Sequence, residues 1–390
     1  MHQYLKKMKR ILLLCMLLLP IACTKAAEIK VGAESTSQYL PQLEGRRVAV
    51  LANHTAMVGD QHLVDMLIAK GIKLVGIFSP EHGFRGGADA GEHVANSVDK
   101  KTGVPIWSLY DGKSTRPSDE KMRAFDVLLV DMQDVGLRFY TYYISMLRMM
   151  EACADFGCKV IVLDRPNPNG MYVDGPILDM KYKSGVGALP IPVVHGLTMG
   201  EIAKMAIGEG WCKACELQVV RCECYTHQTR YTLPIAPSPN LPNQHSIYLY
   251  PSTCLFEGSV CSLGRGTDTP FQVYGHPSYK GSEFSFTPRS VAGAKNPPLK
   301  DQKCYGVNLC DIDDEQIIAE GFNLEYIIDA YQNLNMGEKF FTRMFLLLTG
   351  VDYIKEMIIE GHTADEIRAR WQADVEKFKL LRRKYLLYEE

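Results

Sequence analysis

"IKLVGIFSPEHGFRG", residues 72 to 86, decides how this chain is read. Its first half is a short apolar run stopped by Pro80, which predicts a strand buried on both faces. Its second half sets a carboxylate (Glu81), an imidazole (His82) and a guanidinium (Arg85) directly past the strand's end. Working outward, "RRVAVLAN" (46–53), "VPIWSLY" (104–110), "DVLLVDMQ" (126–133) and "KVIVLDRP" (159–166) have the same build. Between them lie helical patterns, "QHLVDMLIAKG" (61–71) and "YTYYISMLRMMEACADFG" (140–157), each closed by a glycine. Apolar strands alternating with helices predict an α/β fold with a mostly parallel sheet and helices on both faces.

Each predicted strand stops at polar groups. Asn53 follows the first, Glu81 and His82 the second, and Tyr110 the third. Asp131, Gln133 and Asp134 end the fourth; Asp164, Arg165 and Asn167 end the fifth. Ligands of open α/β sheets bind outside the carboxyl ends of the strands, so these residues are expected to line one pocket. No G-x-G-x-x-G follows the first strand, and no Walker-type P-loop or G-x-S-x-G elbow occurs, so nucleotide binding and serine-hydrolase chemistry are set aside. The net charge of −2 and the lack of a basic stripe give no case for nucleic acid. No cofactor and no metal are expected. Carboxylates, arginines, amides and tyrosines together suit a sugar, and cleaving a glycosidic bond needs a carboxyl that stays protonated long enough to donate. Glu81 is the candidate acid. Arg85 would ionise it by direct contact and is expected to face a substrate anion instead.

Farther along, "LPIPVVHG" ends at His195 and Gly196, and Thr198 with Glu201 has the spacing of a helix capping box. "LPIAPSPNLPNQ" (233–244) reads as a domain boundary or a rigid ligand-facing loop. Helices are expected near 312–332, 337–349 and 351–360, with a last one beginning near Thr363. The start of the chain is basic, then "ILLLCMLLLPIAC" (11–23) is apolar but too short to span a bilayer, as in an export signal. Cys23 is a candidate for lipid attachment. Cys212, Cys215, Cys222 and Cys224 read as a disulfide or buried thiols before they read as a zinc site.

The stretches "SPEHGFRGGADAGE", "DMQDVGLRFYTY", "VLDRPNPNG", "PIPVVHGLTMGE", "PSPNLP", "YPSTCLFEGS" and "GRGTDTPFQVYG", in this order, resemble the bacterial exo-β-N-acetylmuramidases. The resemblance implies a Rossmann-like catalytic domain (28–235) after a signal segment (1–27), and a smaller α+β domain (236–390) closing a cleft. It implies hydrolysis of terminal N-acetylmuramic acid from peptidoglycan fragments, with Glu81 catalytic. The substrate's lactyl carboxylate would be met by Arg85, Arg138 or Arg265. The remaining candidates divide between ligand and scaffold: His82 tunes Glu81 or braces its turn, and Asp131 or Asp134 is a helix cap, an acetamido contact or a second carboxylate. Gln133, Tyr140, Asn167, His195 and Asn240 are sugar contacts or packing groups. Asp164 and Arg165 form an internal ion pair or face the ligand, and Glu257 is a partner carboxylate or a turn residue. The rival readings are a cell-wall fragment-binding lipoprotein without catalysis and a peptidoglycan esterase or amidase.

Overall fold

The computed structural model describes residues 28–80, 84, 96–109 and 116–390. Glu81, His82, Arg85, Tyr110 and the segment 1–27 with Cys23 lie outside the described residues. Among the described residues nine strands come first: β1 (Val48–Ala52), β2 (Met57–Val58), β3 (Gln61–His62), β4 (Leu74–Ser79), β5 (Ser97–Val98), β6 (Pro105–Ser108), β7 (Val127–Asp131), β8 (Lys159–Leu163) and β9 (Leu217–Val220). Seven of them form one sheet in the order β5-β6-β4-β1-β7-β8-β9. All its pairings are parallel except that of the edge strand β5 with β6. The six parallel strands thus follow the doubly wound Rossmann order, and the order reverses between β1 and β7.

Alternation along the strands supplies two cores. Ala49, Leu51, Phe78, Leu128, Val130, Val160 and Val162 point to one face, beneath the helices Tyr142–Phe156 and Met199–Gly208. Val48, Val50, Ala52, Ile77, Leu129, Ile161 and Leu163 point to the other, beneath the helix Leu63–Ala69 and Tyr39. Successive side chains of a strand face opposite ways, so a run without polar residues must be covered twice. Gly76 interrupts β4 for a steric reason. A Cβ there would lie 2.3 Å from the Trp107 ring, which crosses the strand at that point and packs on Phe78 at 5.0 Å.

The second part holds a small antiparallel sheet, β10 (Val273–His276), β12 (Cys304–Asn308) and β11 (Ser285–Phe286), with helices around it. Both expected capping boxes form, Thr198 with Glu201 and Thr363 with Glu366. The helix expected over 312–332 is instead two, Asp314–Glu320 and Glu325–Leu334. Gly321 stops the first at φ +67°, and the Asp174 carboxylate takes the N–H of Phe322 at 3.0 Å. The helix expected over 337–349 starts as a 3-10 turn at Gly337–Phe340 and becomes α-helical only at Arg343, after the Thr342 cap.

The chain end returns to the first sheet. Arg382 donates to the Gly196 carbonyl at 2.5 Å, and the Tyr388 hydroxyl donates to Asp164 at 2.7 Å while accepting from the Cys222 N–H at 2.9 Å. All ten cysteines among the described residues are free. Cys212 and Cys222 are buried thiols whose Sγ atoms donate to the carbonyls of Leu147 and Asp164, whereas Cys215 is half-buried and Cys224 exposed, so the cluster forms no disulfide and only two of its four members are the buried thiols expected. Tyr388→Phe should lower stability by about 1–3 kcal/mol in urea unfolding with the slope unchanged, because a buried carboxylate and a backbone N–H both lose a partner.

Candidate active site

The reversal in strand order places the ends of β1 and β7 side by side. Asn53 closes β1 and uses its Oδ1 on the N–H and hydroxyl of Thr55, at 3.1 and 2.6 Å. The Thr55 hydroxyl accepts the N–H of Gln133 across the strand gap at 3.0 Å. Gln133 in turn donates to the carbonyls of Asp134 and Pro166, both at 2.8 Å. Two atoms at this edge are buried with no hydrogen-bond partner among the described residues, Asn53 Nδ2 and Asp134 Oδ2.

Several expected ligands are committed elsewhere. Asp131 receives Arg165 through both oxygens, at 2.5 and 3.0 Å, and Arg165 also donates to the Met57 carbonyl at 2.9 Å. The ion pair expected between Asp164 and Arg165 is therefore absent, because Arg165 turns to the neighbouring strand end. Asp164 instead accepts the Thr198 hydroxyl, the Gly200 N–H and the Tyr388 hydroxyl at 2.7, 2.9 and 2.7 Å. Burial, reinforced by the charge of Glu201, pushes its carboxyl up to about 6. Neither Asp131 nor Asp134 caps a helix: the helix after Gly136 begins at Tyr142, with Thr141 at its N-cap.

Arg138 is the clearest correction. Its side chain is fully buried and its two terminal nitrogens donate to four carbonyls, those of Pro176 (2.7 Å), Ile191 (3.1 Å), Leu348 (2.7 Å) and Thr349 (2.7 Å). No edge of that guanidinium is left for a lactyl carboxylate, and burial pulls its pKa down to about 10. His195 is likewise internal. Its Nδ1 accepts the Leu197 N–H at 3.1 Å, and burial, helped by the positive charges of Arg382 and Arg138, holds it down at about 3, so it is a neutral strand-end histidine. Asn167 braces its own turn, donating to the Leu197 carbonyl and accepting the Asn169 N–H.

Four candidates do come together. Tyr140, Asn240, Glu257 and Arg265 line one hollow of about 100 Å³, with Tyr142, Tyr250 and Phe271 among its walls. The loop 233–244 ties this hollow to the strand ends, since Ala236 accepts from His54 Nε2 at 2.8 Å and the Pro237 carbonyl accepts the hydroxyls of Tyr140 and Tyr142 at 2.9 and 3.3 Å. Tyr250 and Phe271 were not singled out from sequence; an isolated aromatic ring reads as core unless its neighbours in space are known. A larger cavity of about 720 Å³ opens at the opposite, amino ends of the strands, between Arg47 and Lys159. Among its charges Arg47 pairs with Asp126 and Lys159 with Glu216.

Asp134 stands apart from the other buried carboxylates. One oxygen accepts the Gly136 N–H at 2.7 Å and the other has no donor among the described residues, and burial pushes the carboxyl up to about 7.

Two adjoining family descriptions cover the chain: "Exo-beta-N-acetylmuramidase NamZ, N-terminal" matches residues 48–245 and its C-terminal counterpart residues 248–388. The peptidoglycan β-N-acetylmuramidase NamZ of Bacillus subtilis is 36% identical over 384 residues, covering 93% of this chain and 92% of its own. Two crystal structures of Bacteroides fragilis proteins described as DUF1343 family members share the fold. One is 58% identical with a TM-score of 0.88, covering 93% of this chain and 100% of its own. The other is 29% identical with a TM-score of 0.80, covering 93% and 99%.

Asp134 generates a pH prediction. An aspartate in the unfolded chain is ionised above about pH 4, whereas the folded protein keeps this proton to about 7. Between those values the folded state binds the extra proton, so the residue's contribution to stability falls as pH rises. Asp164 slopes the same way up to about pH 6, and His195 slopes oppositely between about pH 3 and 6.5. Asp134→Asn removes only the first term. Its stability relative to the parent should climb from pH 4 to 7 and then level, by up to about 4 kcal/mol; a difference flat with pH in urea unfolding would mean that Asp134 ionises normally.

Proposed function

We propose, from the premise that the chain belongs to the NamZ exo-β-N-acetylmuramidase family and is a glycoside hydrolase, that it releases N-acetylmuramic acid from the non-reducing ends of peptidoglycan fragments, with Glu81 as general acid. The observation that carries the assignment of Glu81 is its place in the chain. It is bonded to Pro80, directly after β4, and β4 lies next to β1 in the parallel sheet. The chain therefore reaches Glu81 as it leaves the carboxyl edge beside Asn53 and Asp131, where a doubly wound sheet binds its ligand. A carboxyl at that edge can protonate the oxygen of the leaving sugar as the glycosidic bond breaks.

The second catalytic group is narrowed by what the other carboxylates already do. Asp131 is held by Arg165 through both oxygens. Asp134 keeps its proton to about pH 7, which suits a hydrogen-bond donor and not a nucleophile. This favours attack by the substrate's own acetamido oxygen, with the protein polarising it. The basic and apolar start of the chain supports export, with Cys23 as a lipid anchor point.

Glu81→Gln should fold with an unchanged melting temperature and lose about 10²- to 10⁴-fold in kcat on a chromogenic β-N-acetylmuramide. Near-normal turnover would take Glu81 out of this role. Mass analysis of a muropeptide digest should show free N-acetylmuramic acid; binding without product would support the fragment-binding reading, and acetate or peptide release the esterase or amidase reading. Cys23→Ser should move the exported protein from the membrane fraction to the soluble one; an unchanged distribution would exclude the anchor.

A further inference from the structure

The hollow behind the strand edge contains a guanidinium that is only half used. Arg265 donates from Nε and Nη2 to a single oxygen, Glu257 Oε1, at 3.1 and 2.5 Å. This side-on contact leaves the end-on edge of the fork, Nη1 with the outer hydrogen of Nη2, without a hydrogen-bond partner among the described residues. The guanidinium stacks 5.0 Å from the Phe271 ring, whose other neighbour is Tyr250 at 4.7 Å, and the side chain is 17% exposed. A planar cation packed on an aromatic face in this way is weakly hydrated and fixed in orientation, so a carboxylate meeting its free edge forms two parallel charge-assisted bonds.

The backbone is shaped to present it. Gly264 and Gly266 flank Arg265 at φ +82° and +81°. A Cβ at Gly264 would fall 2.6 Å from the Thr269 carbonyl oxygen, and one at Gly266 only 2.3 Å from that of Arg289, so neither position accepts a side chain. The stretch "SLGRGT" holds no phosphate in a βαβ unit, and its glycines are accounted for by the turn that projects Arg265. Of the other arginines expected near the ligand, Arg138 is occupied by four carbonyls and Arg165 by Asp131, while Arg85 lies outside the described residues.

We propose that the hollow lined by Tyr140, Asn240, Glu257, Phe271 and Arg265 is the subsite for the lactyl group of the muramic acid ring, with the free edge of Arg265 binding its carboxylate. The inference rests on the hydrolase reading above and deepens it. The volume, room for several waters, suits a three-carbon acid side group better than a whole pyranose. Glu257 holds the guanidinium plane in place when the subsite holds only solvent. Discrimination against a sugar without the acid group follows, because the fork then stays desolvated and half paired.

Two substrates test this, a chromogenic β-N-acetylmuramide with its free lactyl acid and the same compound as the lactyl methyl ester. The parent enzyme should prefer the acid through KM. Arg265→Gln should raise KM for the acid about 10- to 100-fold and leave KM for the ester and both kcat values nearly unchanged, abolishing the preference. Arg265→Lys should keep part of it. Because Arg265→Gln strands the Glu257 charge, the double change Glu257→Gln, Arg265→Gln removes both charges together and should show the same lost preference. The inference is overturned if the preference survives in Arg265→Gln or in the double variant, if both substrates suffer equally, or if the parent treats acid and ester alike. A parent enzyme that cleaves neither substrate would instead remove the hydrolase reading itself.

Discussion

A charge taken out of water must find its compensation inside the protein, and this requirement governs the carboxyl edge of the parallel sheet. Asp131, Asp164 and Arg138 are fully buried there and Arg165 nearly so. An unpaired ion in that setting costs several kcal/mol. Each is accordingly surrounded: Asp131 by Arg165, Asp164 by two hydroxyls and an N–H, Arg138 by four carbonyls. The arrangement locks the loops after β7 and β8 to the helix Met199–Gly208, to the segment near Thr349 and to the chain end.

Rigidity at the edge has a chemical use. Catalysis needs groups held in place before the substrate arrives, since reorganisation during the reaction raises the barrier. Here the fixed groups are those whose hydrogen bonds are saturated by the protein. Among the described residues, groups with unused capacity at the strand ends and in the hollow include Asn53 Nδ2, Asp134 Oδ2 and one edge of Arg265. Braces whose charges the protein meets stand around these open contacts, a division that suits a site for a polyhydroxylated ligand. Asp134 illustrates the balance, since one backbone N–H bond offsets its burial only in part and the proton stays on to about pH 7.

The cysteines follow the same logic of burial. Cys212 and Cys222 behave as small apolar groups with a weak donor, each finding a carbonyl for its thiol. Burial pushes the Cys212 thiol up to about 12, which leaves it a poor nucleophile.

The sequence by itself determined five of the seven strands of the large sheet, its mostly parallel character, the helices that cover it and the two capping boxes, because these rest on local signals repeated every two to four residues. It also brought the candidate polar groups to one edge, since strand ends are visible as places where an apolar run stops. Only the tertiary structure decided which of them keep capacity for a ligand. Arg138 and Asp164 looked as available as Arg265 in the sequence, yet their partners lie up to 211 and 224 residues away. Gly321 likewise ends a helix whose apolar spacing continues past it, because a carboxylate at Asp174 waits for the next N–H. A hydrogen bond leaves no periodic trace in the chain, so the saturation of a donor becomes known only when the fold has brought its acceptors around it.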